Sequence, residues 1–444
     1  METESRDNLA PESPEIKVYK YRWVMLSIFC LFTINNFVQF LEYSIIADII
    51  TKYYGVDSFA VDISGLIFFI MYLLAFLPIS YLIEKYSMKV TAITSTSLTL
   101  MGNLVKLLST PKDKFYLVII GQGLCAIGQV YMITIPSKFA AMWFGAEEVS
   151  TACALAILGT QFGAALGSIL PTLMVKDGTD DEVANGLMTM LIFHAVFSGV
   201  TLGIVILFFR SKPEVPPSLS QLNLTQEFNF KELWVSLKKL LRNKDFLIII
   251  ICFGMSNGLW NAFGIVLNSL YTEYFPKNGR DAGIIASIAI ITGGCIGSLI
   301  FGLILDKTHQ FKRVTFLTLL ASSISLICVL VVFENKSRVG TFIAIPGFGF
   351  FLASTLVIGF EYSIEASYPI PESLSCCILN ASIYIFAIIN TLIMEVLFDS
   401  IGYMYSIVTC IVVIFVMSLL VLLMSSNLRR RDANLAKEIT NLQQ

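Results

Sequence analysis

Four polar residues stand where the chain is otherwise apolar: Asn35, Asn36, Gln39 and Glu42, in the stretch NNFVQFLEYSIIAD at 35–48. Read as one continuous helix of about 100° per residue, Asn35, Asn36, Gln39, Phe40, Glu42 and Tyr43 share an arc of about 160°. Phe37, Val38, Leu41 and Ile45 take the other side. A second stretch repeats the pattern, with Asn257, Asn261, Gly264 and Asn268 within about 60° of one another and Gly254 and Trp260 flanking them. Further polar residues sit at helical spacing: Gln122 with Gln129, Glu361 with Glu365, and Asn380 with Tyr384. Carboxylates, amides and aromatic faces without a deep arginine suit a small cation or zwitterion, since an aromatic face attracts an ammonium group by cation–π interaction. Lys106 and Lys138 read as lying near helix ends, so no cation is expected deep enough to hold a phosphate or carboxylate. The alternative is that these groups are glue between helices, each contributing about 0.6–2 kcal/mol. Asn268, Gln122 and Asn380 fit glue at least as well; Asn36, Phe40 and Gln129 together favour a cavity.

Other chemistries find little support. Two histidines, His194 and His309, are too few for a histidine-based metal or haem site, and no Ser/His/Asp set with useful spacing can be assembled. The nine cysteines all lie in apolar segments without a CxxC spacing and read as small buried hydrophobes. No GxxxxGK[ST] loop occurs, so nucleotide hydrolysis is not expected. The sequence is not that of an enzyme, and no cofactor, metal or nucleic acid is called for.

The elements that must carry these residues are set by composition. Of 444 residues 56% are apolar and 14% charged, against roughly a quarter charged in soluble domains; mean hydropathy is +0.77. Apolar segments recur at roughly 23–50, 60–83, 90–110, 115–137, 149–175, 186–209, 246–274, 282–304, 313–333, 341–364, 373–398 and 402–424. Each is long enough for a membrane-crossing helix, which predicts an all-α, twelve-span membrane protein. A cytoplasmic tail (1–20) without a cleavable leader precedes a first half (21–209). A linker (210–244), a second half (245–425) and a tail (426–444) follow. The linker begins with the Pro/Ser-rich RSKPEVPPSLSQ, and its later part places Leu233, Trp234, Leu237, Leu240 and Leu241 at helical spacing among lysines. That reads as an amphipathic helix on a membrane surface or as a simple loop helix. Of 30 Lys and Arg residues, 21 fall on one side if the N-terminus is inside, so both termini are expected in the cytoplasm. Asn335 (NKS) then lies in an external loop as the plausible glycosylation acceptor.

The two halves echo one another. TKYYG (51–55) matches TEYFP (272–276), YLIEKYSMK (81–89) matches LILDKTHQF (303–311), and EVSTAC (148–153) matches ESLSCC (372–377), at offsets of 221, 222 and 224 residues. Two parallel six-helix repeats joined by a cytoplasmic linker resemble the major facilitator superfamily. Glu84 with Lys85 and Asp306 with Lys307, at the inner ends of spans two and eight, resemble its acidic/basic gating latch.

YRWVML (21–26), EYSIIADIITKYYGV (42–56), GQGLCAIGQV (121–130), MWFGAEEVSTACALAILGTQFGAALGSILP (142–171) and LNAS (379–382) narrow the resemblance. Over roughly residues 17–425 the chain resembles the feline leukaemia virus subgroup C receptor-related family of solute carriers. That family is known for choline and ethanolamine transport at the plasma membrane and was earlier described as exporting haem. The resemblance implies facilitated, alternating-access transport of a small amine alcohol by a protein expected to be monomeric. The family's site uses a tryptophan on span one, where this chain has Phe40; a glutamine on span four, matched by Gln129; a tyrosine on span seven, where Asn261 stands beside Trp260; and a glutamine on span eleven, where Tyr384 stands. Glu42 occupies a position expected to be uncharged. The expected substrate site is therefore Phe40, Gln129, Asn261, Tyr384, Asn36, Trp260 and Glu42, with Glu42 as counter-charge. A proton-coupled carrier of another small amine or vitamin, with Glu42 or Glu361 titrating, is the alternative. A haem exporter and a non-transporting receptor are less favoured.

Overall fold

The computed structural model describes residues 17–145, 148–215, 217, 230–368, 370 and 372–424; the side chains of residues 84, 137, 149, 150, 230–234, 306, 372 and 373 are outside that description. Most of the N-terminal tail, the centre of the linker and the C-terminal tail therefore lie outside the described residues.

Among the described residues, ten helices are long and apolar enough to cross a membrane. They are Ser58–Lys85 (span two), Phe115–Thr134 (four), Val149–Met174 (five), Asp180–Phe208 (six), Lys244–Tyr274 (seven), Phe311–Glu334 (nine), Arg338–Ser367 (ten), Glu372–Ile401 (eleven) and Tyr403–Val421 (twelve), with span eight in two stretches. Span eight is Gly279–Ile290 and Ser298–Thr308, joined by a π-helical turn at Ile291–Gly297. Span three, Met88–Leu107, has 20 residues but is rich in Ser and Thr. Its hydroxyls return to its own carbonyls, Thr96 Oγ1 to Ala92 O and Thr99 Oγ1 to Ser95 O. Span one is the exception to continuity: Arg22–Phe37 and Ala47–Tyr54 are separate helices with a short 3₁₀ turn, Ser44–Ile46, before the second. Gly55, at φ +67°, ends it in a left-handed conformation that favours glycine. The linker helix is present at Phe230–Leu240, although Lys231, Leu233 and Trp234 belong to the side chains outside the description.

Helix starts carry side-chain caps. Asp57 accepts from Ala60 N at 3.0 Å, and Thr179 with Glu182 forms a capping box at the start of span six. Large aliphatic side chains face outward along the spans, Leu207 at 73% exposure among them, as hydrocarbon rather than water would have it. Within each half, small residues let backbones approach. A Cβ on Gly102 would lie 2.5 Å from Gly121 O, fixing spans three and four in contact.

Candidate functional site

The chain leaves the α-helix after Phe37, so the single-helix wheel holds for Asn35 and Asn36 and fails beyond Val38. Gln39 N donates to Asn36 O and Phe40 N to Phe37 O, a tightening to i→i−3 before the backbone turns aside. No proline or glycine forces the break. Side chains hold it instead. Gln122 Nε2 of span four donates to the released carbonyl of Gln39 at 3.0 Å, and Gln39 Nε2 reaches Asn35 O at 3.3 Å. Non-helical backbone at membrane depth survives only when protein satisfies it, and Asn35, Asn36, Gln39 and Glu42 are all at most 1% exposed.

Their partners come from spans three, four and six. Asn36 Nδ2 donates to Thr99 Oγ1 at 2.9 Å and to Cys125 O at 3.0 Å. Asn35 Oδ1 accepts from Ser198 Oγ at 2.9 Å, and Asn103 Nδ2 donates to the same hydroxyl at 2.7 Å. Lys106 Nζ donates to Gln39 Oε1 at 2.7 Å and pairs directly with Glu42 Oε1. The other carboxylate oxygen of Glu42 lies 2.7 Å from His194 Nδ1. Lys106, Glu42 and His194 are fully buried.

Two expectations are corrected here. Lys106 stands in the last turn of its helix as expected, but it is fully buried, so the protein does hold a cation out of water, and Glu42 is not a free counter-charge, because Lys106 and His194 of its own half occupy both its oxygens. Asn36 is likewise committed to spans three and four. The missed residues had a signal: a carboxylate at membrane depth demands a cation. Spans one and three run the same way, and Glu42 lies 20 residues past Arg22 while Lys106 lies 18 past Met88, at the same depth.

The aromatic residues form a seam between the halves. Phe40 packs edge-on against Phe68 and Phe69 of span two at 5.6 and 5.5 Å between ring centroids. Phe69 stacks on Tyr384 of span eleven at 5.1 Å, and Tyr72 meets the same ring edge-on at 4.7 Å. The structure thus links Phe40 and Tyr384 through Phe69, a residue the spacing did not single out. Gln129 is buried on span four, next to Gly128, which lies against Thr99 and the Asn36 amide. Asn261 is half-buried and donates to Asn257 O at 2.8 Å on its own helix. Trp260 turns to Phe348 of span ten at 5.9 Å, away from the seam.

Hydrogen bonds also cross between the halves, near the far ends of the spans from Asp48 N to Asn268 Oδ1 at 2.9 Å and between Ser58 and Ser269 at 3.0 Å, and further in from Ser287 Oγ to Ala165 O at 2.8 Å. Of the expected latch, Lys85 and Lys307 are exposed in the last turns of their helices, while the Glu84 and Asp306 side chains lie outside the described residues. Asn335 is exposed just after span nine.

Two six-helix halves meeting along a polar and aromatic seam define a carrier rather than an enzyme, and comparison agrees. The chain belongs to the Major Facilitator Superfamily, whose family model matches residues 24–369. Within it, the relatives place the chain in the feline leukaemia virus subgroup C receptor-related branch. It is 32% identical over 95% of its length to the choline/ethanolamine transporter flvcr2b of Danio rerio, covering 87% of that protein. It is 30% identical over 94% of its length to the human choline/ethanolamine transporter FLVCR2, covering 80% of it. An uncharacterized MFS-type transporter of Caenorhabditis elegans is 35% identical over 95% of the chain and 72% of its own length. Among solved structures, a bacterial homologue of the human lysosomal transporter Spinster, inward-facing and unoccupied, matches with a TM-score of 0.71 at 13% identity over 93% of this chain and 99% of that one. The outward-facing transporter FucP matches with 0.62 at 14% identity over 90% and 98%. The protein is a multi-pass membrane transporter with a small-molecule substrate.

Proposed function

We propose that this transporter carries choline, ethanolamine or a similar small cationic amine alcohol by facilitated alternating access, and that the seam of Phe40, Phe69, Tyr72 and Tyr384 lies on its substrate path. The observation that supports this reading most is Phe69, whose ring touches Phe40 of span one and Tyr384 of span eleven together. Aromatic faces drawn from both halves offer an ammonium group cation–π attraction of about 0.5–2 kcal/mol per favourable ring. They would be presented to it alternately as the halves rock. The relatives' printed names supply the same class of substrate. Gln129 and Asn261 are the residues we assign to orienting the hydroxyl end, while Trp260, packed against Phe348, is left off the substrate path. Glu42 and Asn36 we assign to holding span one in its broken form.

The protein is proposed to sit in the plasma membrane as a monomer with both termini cytoplasmic, in keeping with the 21 of 30 basic residues on that side. In this arrangement the halves are 21–209 and 245–425, Glu84, Lys85, Asp306 and Lys307 form the inner latch, and Asn335 carries the external glycan.

Uptake of radiolabelled choline and ethanolamine in cells expressing the wild type, Gln129→Ala and Tyr384→Leu, each at verified surface level, tests the reading. Wild-type uptake should exceed background. Tyr384→Leu should raise KM by roughly 2- to 30-fold, the loss of one cation–π contact. If neither solute is carried by wild type present at the surface, the substrate assignment fails.

A further inference from the structure

Two carboxyl groups unused above meet across the halves. Spans two and eleven pack against one another through Phe69 and Tyr384, and Asp62, in the second turn of span two, lies close enough to Glu395 of span eleven for the two carboxyls to act on each other. Asp62 is fully buried and Glu395 is 8% exposed. Both Asp62 oxygens and Glu395 Oε1 are buried without a donor among the described residues. No Lys, Arg or His pairs with either carboxyl among those residues. Tyr403 of span twelve is within reach of both carboxyls and of Glu273 of span seven and Asp399 of span eleven, so the titratable groups it brings together there add negative charge or none.

The contrast with Glu42 is direct. Glu42 is buried and has two nitrogen partners; Asp62 is buried and faces another acid. Two ionised carboxylates in contact, out of water and without a cation, repel strongly, whereas one proton between them turns the repulsion into a carboxyl–carboxylate hydrogen bond.

We propose that Asp62 and Glu395 form a proton-binding site that joins the two halves, so that the proton is held while this end of the carrier is closed and released to solvent when the halves part. In the closed form one carboxyl donates to the other and the pair carries a single negative charge. On opening, the groups separate, the proton passes to water and both are ionised. The site rests on the transporter reading only for its consequence: the proton binds the closed form more tightly, so acid favours closure and alkali favours opening. One proton can shift that balance by at most about tenfold per pH unit. Ser58 and Ser269, hydrogen-bonded one turn from Asp62, and Asp48 with Asn268 lie at the same end and would open with it.

The test needs no substrate. Infrared difference spectra of the purified full-length protein, titrated with alkali in H2O and D2O, report the C=O stretch of a protonated carboxyl. The wild type should show a titrating band that is absent in both Asp62→Asn and Glu395→Gln and retained in Glu42→Gln. Thermal unfolding run alongside confirms that the near-isosteric variants are folded, and if one is not, the other carries the comparison. A wild-type spectrum without such a band, or a band that survives in a folded Asp62→Asn or Glu395→Gln protein, overturns the site. Choline uptake against external pH reads the consequence: an increase with pH in the wild type, flattened in Asp62→Asn, is expected. Identical pH profiles in wild type and variant overturn the gating role. Absence of uptake at every pH removes the substrate assignment and leaves the spectra to decide the proton site.

Discussion

Replacing Lys106 by methionine keeps most of the side-chain stem in the slot left by Gly121, against which that stem packs, and removes only the ammonium group. Glu42 then keeps His194 at 2.7 Å and nothing else, in a site with no exposure at all. Removing one member of a buried pair typically costs about 3–5 kcal/mol, because the remaining charge stays desolvated. That corresponds to a loss of roughly 10² to several 10³ in the folded-to-unfolded ratio. Glu42→Gln should cost less, near the lower end, because Lys106 retains Gln39 Oε1 at 2.7 Å as an acceptor. The double variant Glu42→Gln/Lys106→Met leaves no uncompensated charge on either residue and should be more stable than the sum of the single losses by about 0.5–3 kcal/mol. Denaturant unfolding of detergent-purified protein, followed by tryptophan fluorescence, gives the four corners of that cycle. Single variants within about 1 kcal/mol of wild type, or a strictly additive double variant, would refute the claim that this ion pair fastens the broken span.

Gly102→Val should separate spans three and four, since even a Cβ there would meet Cys125 Sγ at 2.6 Å; the expected result is a loss of about 1–3 kcal/mol or more from overpacking, read by the same unfolding assay. Asn268→Ala removes the acceptor of the Asp48 amide and should loosen this cross-half contact by about 1 kcal/mol, so that hydrogen exchange over Ala47–Tyr54 speeds by roughly fivefold. Asn335→Gln should increase the electrophoretic mobility of protein from a glycosylating host, and a mobility equal to that of wild type would show that Asn335 carries no glycan.

Much of the architecture was legible in one dimension. Long apolar runs need no partner to announce a membrane helix, and a repeat at a near-constant offset of 221–224 residues survives in sequence because equivalent helices keep equivalent ends. The break in span one was not legible, since it has neither proline nor glycine and is held by Gln122 and Lys106, 80 and 64 residues from Glu42. A helical wheel assumes the continuity that those side chains remove. The aromatic set was half legible. Phe40 and Tyr384 stood out by position, while Phe68, Phe69 and Tyr72 look like ordinary lipid-facing residues until span two is packed against spans one and eleven.

Composition and periodicity by themselves determined that the chain is a two-fold repeated bundle of membrane helices with polar groups buried in its first and seventh spans, because solvent preference is a local property of each segment. Only the tertiary structure decided what each polar group faces. Glu42 meets an ammonium and an imidazole while Asp62 meets another carboxyl, and a lone carboxylate in the sequence does not distinguish those cases. The reason is physical: the free energy of a charge in a low-dielectric interior is set by the few groups within a few ångströms of it, and those groups arrive from distant parts of the chain.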